Sequence, residues 1–196
     1  MLAAAFPEPV LASQAVFRTI MDALAHPGEV KSLRHALTAP APLSATAAAL
    51  AAALLDYETP VWLDAALSET PDVTDWIRFH TGARVTADPR QAAFAFIANP
   101  AHAPSFDVFS LGTAEYPDRS TTLLLQVERF GAGQRLSCCG PGIADRVSFS
   151  AEPLPLDFCA RLVANHALFP RGVDVIMLSP DAVAALPRSV VATAGG

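Results

Sequence analysis

Residues 121–143 read Thr-Thr-Leu-Leu-Leu-Gln-Val-Glu-Arg-Phe-Gly-Ala-Gly-Gln-Arg-Leu-Ser-Cys-Cys-Gly-Pro-Gly-Ile. Residues 121–129 are rich in β-branched and apolar side chains and are long enough for a strand. Gly131 and Gly133 then supply the positive-φ positions of a tight hairpin. This predicts residues 135–139 as the returning antiparallel strand. It ends at Gly140-Pro141-Gly142, where Pro141 has no N–H for a ladder and two glycines permit a sharp turn or a close backbone approach. Charges are sparse, so the hairpin is expected to lie against the core.

Outward from that hairpin, helices and strands alternate. Phe17, Ile20, Met21 and Leu24 are spaced to give residues 10–25 one apolar helical face, and Pro27-Gly28 ends the helix. Residues 29–34 form a connector or short strand. Ser44 caps a helix of alanine and leucine that runs to Asp56. Val61, Trp62 and Leu63 make a short buried strand. Thr70-Pro71-Asp72 opens a helix with Val73, Trp76, Ile77 and His80 on one face, closed by Gly82. Residues 92–98, Ala-Ala-Phe-Ala-Phe-Ile-Ala, are a continuous apolar run of the kind found in a sheet covered on both faces. A short helix at 105–111, a polar loop at 115–120 and a strand at 146–150 follow. Residues 155–169 form a helix with Phe158, Leu162, Val163 and His166 on one face. Residues 173–178 are a buried strand, Ser179-Pro180-Asp181 caps a last short helix, and residues 190–196 fray. The expected class is α/β: a mixed sheet flanked by helices, in one domain over residues 1–196.

A chain of 196 residues can bury a sizeable core. Its 52% hydrophobic and 16% charged residues make it apolar and charge-poor. Two readings fit: a surface completed by a partner or a second copy, or a composition inflated by alanine. The formal net charge of -6 and the scattered arginines argue against nucleic acid or an anionic membrane as partner. No basic segment precedes the apolar start, which Pro7 and Glu8 interrupt. Pro40 and Pro42 leave an apolar run too short for a bilayer. The reading is a cytoplasmic protein.

The residue inventory holds no nucleophile elbow, phosphate loop or dinucleotide fingerprint. His26, His35, His80, His102 and His166 have no metal-type spacing. Cys138, Cys139 and Cys159 make an odd count; Cys138 and Cys139 point to opposite faces of a strand, are poorly placed to bridge each other, and read as small apolar strand residues. Gly140, Pro141, Gly142 and Ile143 form either a strand-ending turn or an anion cradle. Arg171 and Arg188, each beside a proline at an element boundary, are either solvated or placed to meet a phosphate or a carboxylate of another chain. No catalytic set emerges.

Four stretches recur together in order: residues 17–28 (Phe-Arg-Thr-Ile-Met-Asp-Ala-Leu-Ala-His-Pro-Gly), Leu54-Leu55-Asp56 with Thr59, residues 136–143 ending Gly-Pro-Gly-Ile, and residues 169–174 (Phe-Pro-Arg-Gly-Val-Asp). Tyr116-Pro117 and Leu186-Pro187-Arg188 fit the same pattern, and the set spans nearly the whole chain. It resembles the PhnH subunit family of carbon–phosphorus lyase, the bacterial system that degrades organophosphonates. The resemblance implies the fold of the large domain of pyridoxal-phosphate-dependent transferases, with no cofactor and no independent activity. It also implies an accessory subunit of a core complex with PhnG, PhnI and PhnJ. That complex takes part in transferring an alkylphosphonate to the ribose C1′ of ATP with loss of adenine (alpha-D-ribose 1-methylphosphonate 5-triphosphate synthase), before C–P cleavage by PhnJ. A homodimer is implied for the isolated chain. A pyridoxal enzyme needs a Schiff-base lysine, and the single lysine, Lys31, lies far from where such folds place it. The rival readings are an independent enzyme that binds a phosphorylated small molecule at residues 140–143 with Arg171 or Arg188, and a ligand-sensing module.

Overall fold

The computed structural model describes residues 9–35 and 37–195, so the expectation for residues 1–8 lies outside it. The chain runs α1 (Pro9–Ala25), β1 (Lys31–Ser32), α2 (Ala45–Leu54), β2 (Val61–Leu63), α3 (Ala65–Ser68), α4 (Pro71–Thr81), β3 (Phe94–Ile97) and β4 (Thr122–Gln126). It continues through β5 (Arg129–Phe130), β6 (Leu136–Cys139), β7 (Val147–Phe149), β8 (Ala151–Glu152), α5 (Phe158–His166), β9 (Asp174–Leu178), β10 (Ala182–Leu186) and β11 (Val191–Ala194). Six strands form the main sheet in the order β1-β10-β9-β4-β3-β2. Strands β2, β3, β4 and β9 are mutually parallel, while β10 runs antiparallel to both β9 and β1. The class is mixed α/β, with helices against the sheet.

Period-two alternation sorts the sheet's side chains into two cores. Phe96, Leu124, Ile176, Leu178, Val183 and Ala185 face α1, α2 and α4. Ala95, Ile97, Leu123, Leu125, Val175, Met177 and Leu186 face α5 and the smaller sheet β11-β6-β7. Helix α2 is capped by Ser44, whose Oγ accepts from Ala47 N–H at 3.1 Å. It lies between α1 and α4, and Ala47, Ala48, Ala49, Leu50 and Ala51 are fully buried. Its alanines therefore belong to the core, because small side chains let three helices approach closely. Gly82 closes α4 with φ 72°, as the sequence implied. Among the described residues no helix is long and apolar enough to cross a membrane.

The expected hairpin over residues 121–143 does not form. Strand β4 pairs with β3 and β9 in the main sheet, whereas β6 pairs with β7 and β11 in another. Leu123, Leu124 and Leu125 are all fully buried, which requires cover on both faces and fits a central parallel strand. Gly131 and Gly133 do turn with φ 80° and 82°, but the turn carries the chain out of the main sheet by way of a β5–β8 ribbon. Four further expectations change. Residues 182–186 are strand β10 rather than a helix, since all five are buried between two cores. Residues 191–194 do not fray: β11 pairs along β6, with Val190 and Ala192 buried. Helix α1 turns Val16, Ile20 and Ala23 inward and leaves Phe17 and Met21 44% and 40% exposed. In α5 the third core residue is Asn165, while Val163 is exposed.

Candidate functional site

The Gly140–Ile143 segment closes on itself. Ile143 N–H donates to Gly140 O at 3.1 Å, with Pro141 and then Gly142 at φ 82° between them, the pattern of a type II turn. A Cβ on Gly142 would strike the Ala25 carbonyl at the end of α1 and come within 2.8 Å of Pro27. A Cβ on Gly140 would meet Ser189 O at 3.0 Å. The glycines here let three pieces of backbone meet.

Arg188 follows β10 and returns to the start of β9, at the N-terminal edge of the parallel strands. Its backbone N–H and its Nε donate to Asp174 Oδ1 at 2.9 and 3.1 Å, and Nη2 donates to Asp174 Oδ2 at 2.6 Å. Nη2 also donates to Ser120 Oγ at 2.6 Å, and Nη1 donates to the carbonyls of Pro117 (2.5 Å) and Pro170 (3.5 Å). Those bonds use all five guanidinium N–H groups. The side chains of Arg188 and Asp174 are only 14% and 21% exposed. His166 Nδ1 lies 3.2 Å from Arg188 O, and its ring stacks on Phe169. Outside this clamp lies a shallow cavity of ≈ 350 Å³ bordered by Pro117, Asp118, Phe169 and Pro170. The structure thus brings Arg188 and the Gly140 turn together through Ser189. Arg171 is exposed in the turn before β9, and no side-chain hydrogen bond or ion pair among the described residues involves it. Asp174, Ser120 and the Pro117 carbonyl were missed from the sequence. A carboxylate opening an otherwise apolar strand was the available signal.

Open α/β sheets hold ligands at the C-terminal ends of their parallel strands. Here Asp64, Gln126 and Thr46 bond to the chain itself. Asp64 accepts from the N–H groups of Leu67, Ala98 and Asn99 (3.1, 2.8 and 3.1 Å), tying β2 to β3. Gln126, ending β4, accepts from Ser44 N–H at 2.6 Å and donates to Pro42 O at 3.0 Å. Thr46 Oγ1 donates to Pro180 O at 2.8 Å and lies 3.1 Å from His35 Nε2. His35 Nδ1 is buried without a partner among the described residues, and burial holds its pKa below the usual histidine value. The segment leading into α2 therefore covers this edge.

Lys31 sits on edge strand β1 with its Nζ 2.8 Å from both Asp22 Oδ2 and Glu29 Oε2. The hydrogen bond it donates to Asp22, then the one it donates to Glu29, raises its pKa. A Schiff-base lysine must lose its proton to attack a carbonyl, so Lys31 does not fit a pyridoxal phosphate. Cys138 is fully buried, and burial pushes its thiol up to about 11. Among the described residues no group of three His, Cys, Asp or Glu side chains is placed to hold a metal ion.

Residues 4–193 match the family described as Bacterial phosphonate metabolism protein (PhnH). The chain belongs to the PhnH family. It is 46% identical, over 94% of its length and 92% of the relative's, to the alpha-D-ribose 1-methylphosphonate 5-triphosphate synthase subunit PhnH of Rhizobium meliloti (strain 1021). It is also 35% identical over 79 residues, 40% of each chain, to the putative C-P lyase subunit protein HtxG of Stutzerimonas stutzeri. The PhnH match spans both sheets, including the Arg188–Asp174 clamp and the Gly140 turn.

Proposed function

We propose that this chain is an accessory subunit of the carbon–phosphorus lyase core complex. In that complex it supports transfer of an alkylphosphonate to the ribose C1′ of ATP with displacement of adenine, working with PhnG, PhnI and PhnJ and without catalysing the step alone. The observation that carries the reading is the near full-length match to a PhnH subunit of that synthase. It is supported by side chains at both ends of the parallel strands, which fasten the chain rather than offer groups to a substrate. The outer face of α1, where Val10, Leu11, Phe17 and Met21 are exposed, supports a homodimer of the isolated chain. Of the residues proposed as ligand or partner contacts (Gly140, Pro141, Gly142, Ile143, Arg171 and Arg188), Arg171 has the exposed guanidinium, and we assign it to a partner. We further read residues 1–196 as one cytoplasmic domain with the fold of a pyridoxal-phosphate transferase large domain. Native mass spectrometry of the chain alone, and after co-expression with the other three subunits, tests the assembly. A homodimer that converts to a stoichiometric hetero-oligomer is expected. A particle that ignores those partners, or that turns over a nucleotide or phosphonate alone, overturns the reading.

A further inference from the structure

We propose that Cys138 on β6 and Cys159 on α5 close a reversible disulfide when a peroxide reaches the chain, Cys159 being the thiol attacked first. The pair is a modification site of the fold itself and stands apart from the subunit reading above.

The way α5 lies on the smaller sheet brings the two thiols together. Helix α5 packs on β11, and Cys159 packs against the core cluster that contains Cys138. At the end of the helix His166 Nδ1 lies 3.2 Å from Arg188 O, just ahead of β11. Cys159 precedes His166 by two turns on the same side of the helix, about 10 Å back along its axis. About three residues of strand cover that distance, which carries Cys159 to the level of Val191 and Ala192. Ala192 pairs with Cys138 across the ladder, and both are buried in the core beneath α5. An alanine at this point leaves the approach between the two sulfurs clear. Asn165 brackets Val173 with two hydrogen bonds of 2.9 Å, which hold the helix in this place. The titration of Cys138 agrees: burial raises it most, then Cys159, and only then Cys139, its neighbour in sequence. Cys139 lies on the other face of β6, away from α5.

Burial assigns the two roles. Cys138 is fully buried with its thiol raised to about 11, so it stays protonated and sheltered from solvent. Cys159 is half-buried and is the one an oxidant can reach. Its sulfur attacks one oxygen of hydrogen peroxide and the O–O bond breaks. The product is a sulfenic acid, and the departing hydroxide takes the thiol proton as water. Cys138 sulfur then displaces the hydroxyl of that sulfenic acid. The S–S bond forms, and the hydroxyl leaves with the Cys138 proton as a second water. Two electrons pass from the sulfur pair to the peroxide. The bond ties α5 to β6 and closes the chain between them into a loop, which restricts the unfolded state. Under reducing conditions such a disulfide is transient, and a small thiol restores the pair.

Hydrogen peroxide is added to the purified chain, the remaining thiols are blocked with an alkylating agent, and peptides are mapped without reduction. The expected product is a Cys138–Cys159 linked peptide with Cys139 alkylated. The oxidised chain should melt several degrees higher, and dithiothreitol should reverse both changes. Cys139→Ser should give the same link. Cys138→Ala should stop at a sulfenic acid on Cys159, captured by dimedone, and Cys159→Ser should leave Cys138 reduced. The wild-type map decides whether or not each variant folds. A map with all three cysteines unlinked, or with a link through Cys139 or to a second copy, overturns the proposal. So does a dimedone adduct on Cys138 in place of Cys159.

Discussion

Replacing Arg188 with alanine should unfold this protein far more easily than the loss of an ordinary surface arginine. The side chain links three separate segments: Pro117 to Ser120 ahead of β4, Pro170 and Asp174 leading into β9, and its own position after β10. Alanine at 188 leaves the Asp174 carboxylate with only the backbone N–H of that position, and the Pro117 carbonyl and the Ser120 hydroxyl without the guanidinium. Stranding one partner of a fully buried pair costs about 3–5 kcal/mol. With both side chains one-seventh to one-fifth exposed, water recovers part of that, and about 2–4 kcal/mol is expected. For a chain of this length the melting temperature falls by about 2–4 °C per kcal/mol, so a drop on the order of 4–16 °C follows. Arg188→Lys should recover less than half, because an ammonium cannot span both Asp174 oxygens and two carbonyls. Paired with Asp174→Leu, Arg188→Leu should be less damaging than Arg188→Ala alone, since no charge is then stranded. Urea denaturation of these three variants, with Asp174→Leu and Arg188→Leu made singly, reads this directly. Losses below about 0.5 kcal/mol, or strictly additive ones, would refute the clamp. A variant of unchanged stability that no longer responds to nucleotide or phosphonate would instead make Arg188 a ligand contact.

Three other outcomes follow from the same geometry. Gly142→Ala should cost several kcal/mol and clearly exceed Gly131→Ala, expected at about 1–2 kcal/mol. Both residues have φ near 80°, but a Cβ at 131 meets open space while one at 142 meets the Ala25 carbonyl; equal denaturation midpoints would contradict this. Cys138, with its thiol raised to about 11 by burial, keeps its proton in the folded state above pH 9 while the unfolded chain loses it. Stability should therefore fall as pH rises from about 9 toward 11, and Cys138→Ala should flatten that slope; an unchanged slope assigns it elsewhere. Deleting residues 190–196 should remove about 3 kcal/mol or more through lost burial of Val190 and the lost β11–β6 ladder, whereas a frayed tail would leave the melting temperature unchanged.

Local signals in the sequence proved reliable where one residue decides the backbone. Ser44 at the start of α2, Pro71 and Gly82 at the ends of α4, and the apolar run in β3 all sit where their chemistry places them. The errors lie where partners distant in sequence decide. Leu123-Leu124-Leu125 next to Gly131 and Gly133 suits a hairpin locally, but the lack of alternation already required cover on both faces. Residues 182–186, Ala-Val-Ala-Ala-Leu, favour a helix by propensity and become β10 because β1 and β9 flank them. Helix α1 carries two apolar faces, and sequence spacing alone cannot say which one meets the sheet. The candidate site was legible in part for the same reason. Arg188 and residues 140–143 stood out as punctuation, but Asp174, Ser120 and the Pro117 carbonyl became visible only once β4, β9 and β10 were adjacent.

The distribution of polar side chains bears on what kind of protein this is. At the N-terminal edge of the parallel strands Arg188 and Asp174 satisfy each other, and at the C-terminal edge Asp64 and Gln126 satisfy the chain's own backbone. An enzyme site needs donors and acceptors left free for a substrate and pre-set toward it. Here those groups are used to hold loops down at both edges. Among the described residues, the outer surfaces carry the apolar side of α1, an alanine-lined trough beside α5 with Asp107 and Asp157 at its rim, and the guanidinium of Arg171 without a side-chain partner. Apolar patches edged by unpaired charge are how a protein recognises other chains. On the proposed subunit reading, such surfaces are where partners dock, and surface substitutions which spare stability are then expected to be the ones that abolish activity of the complex.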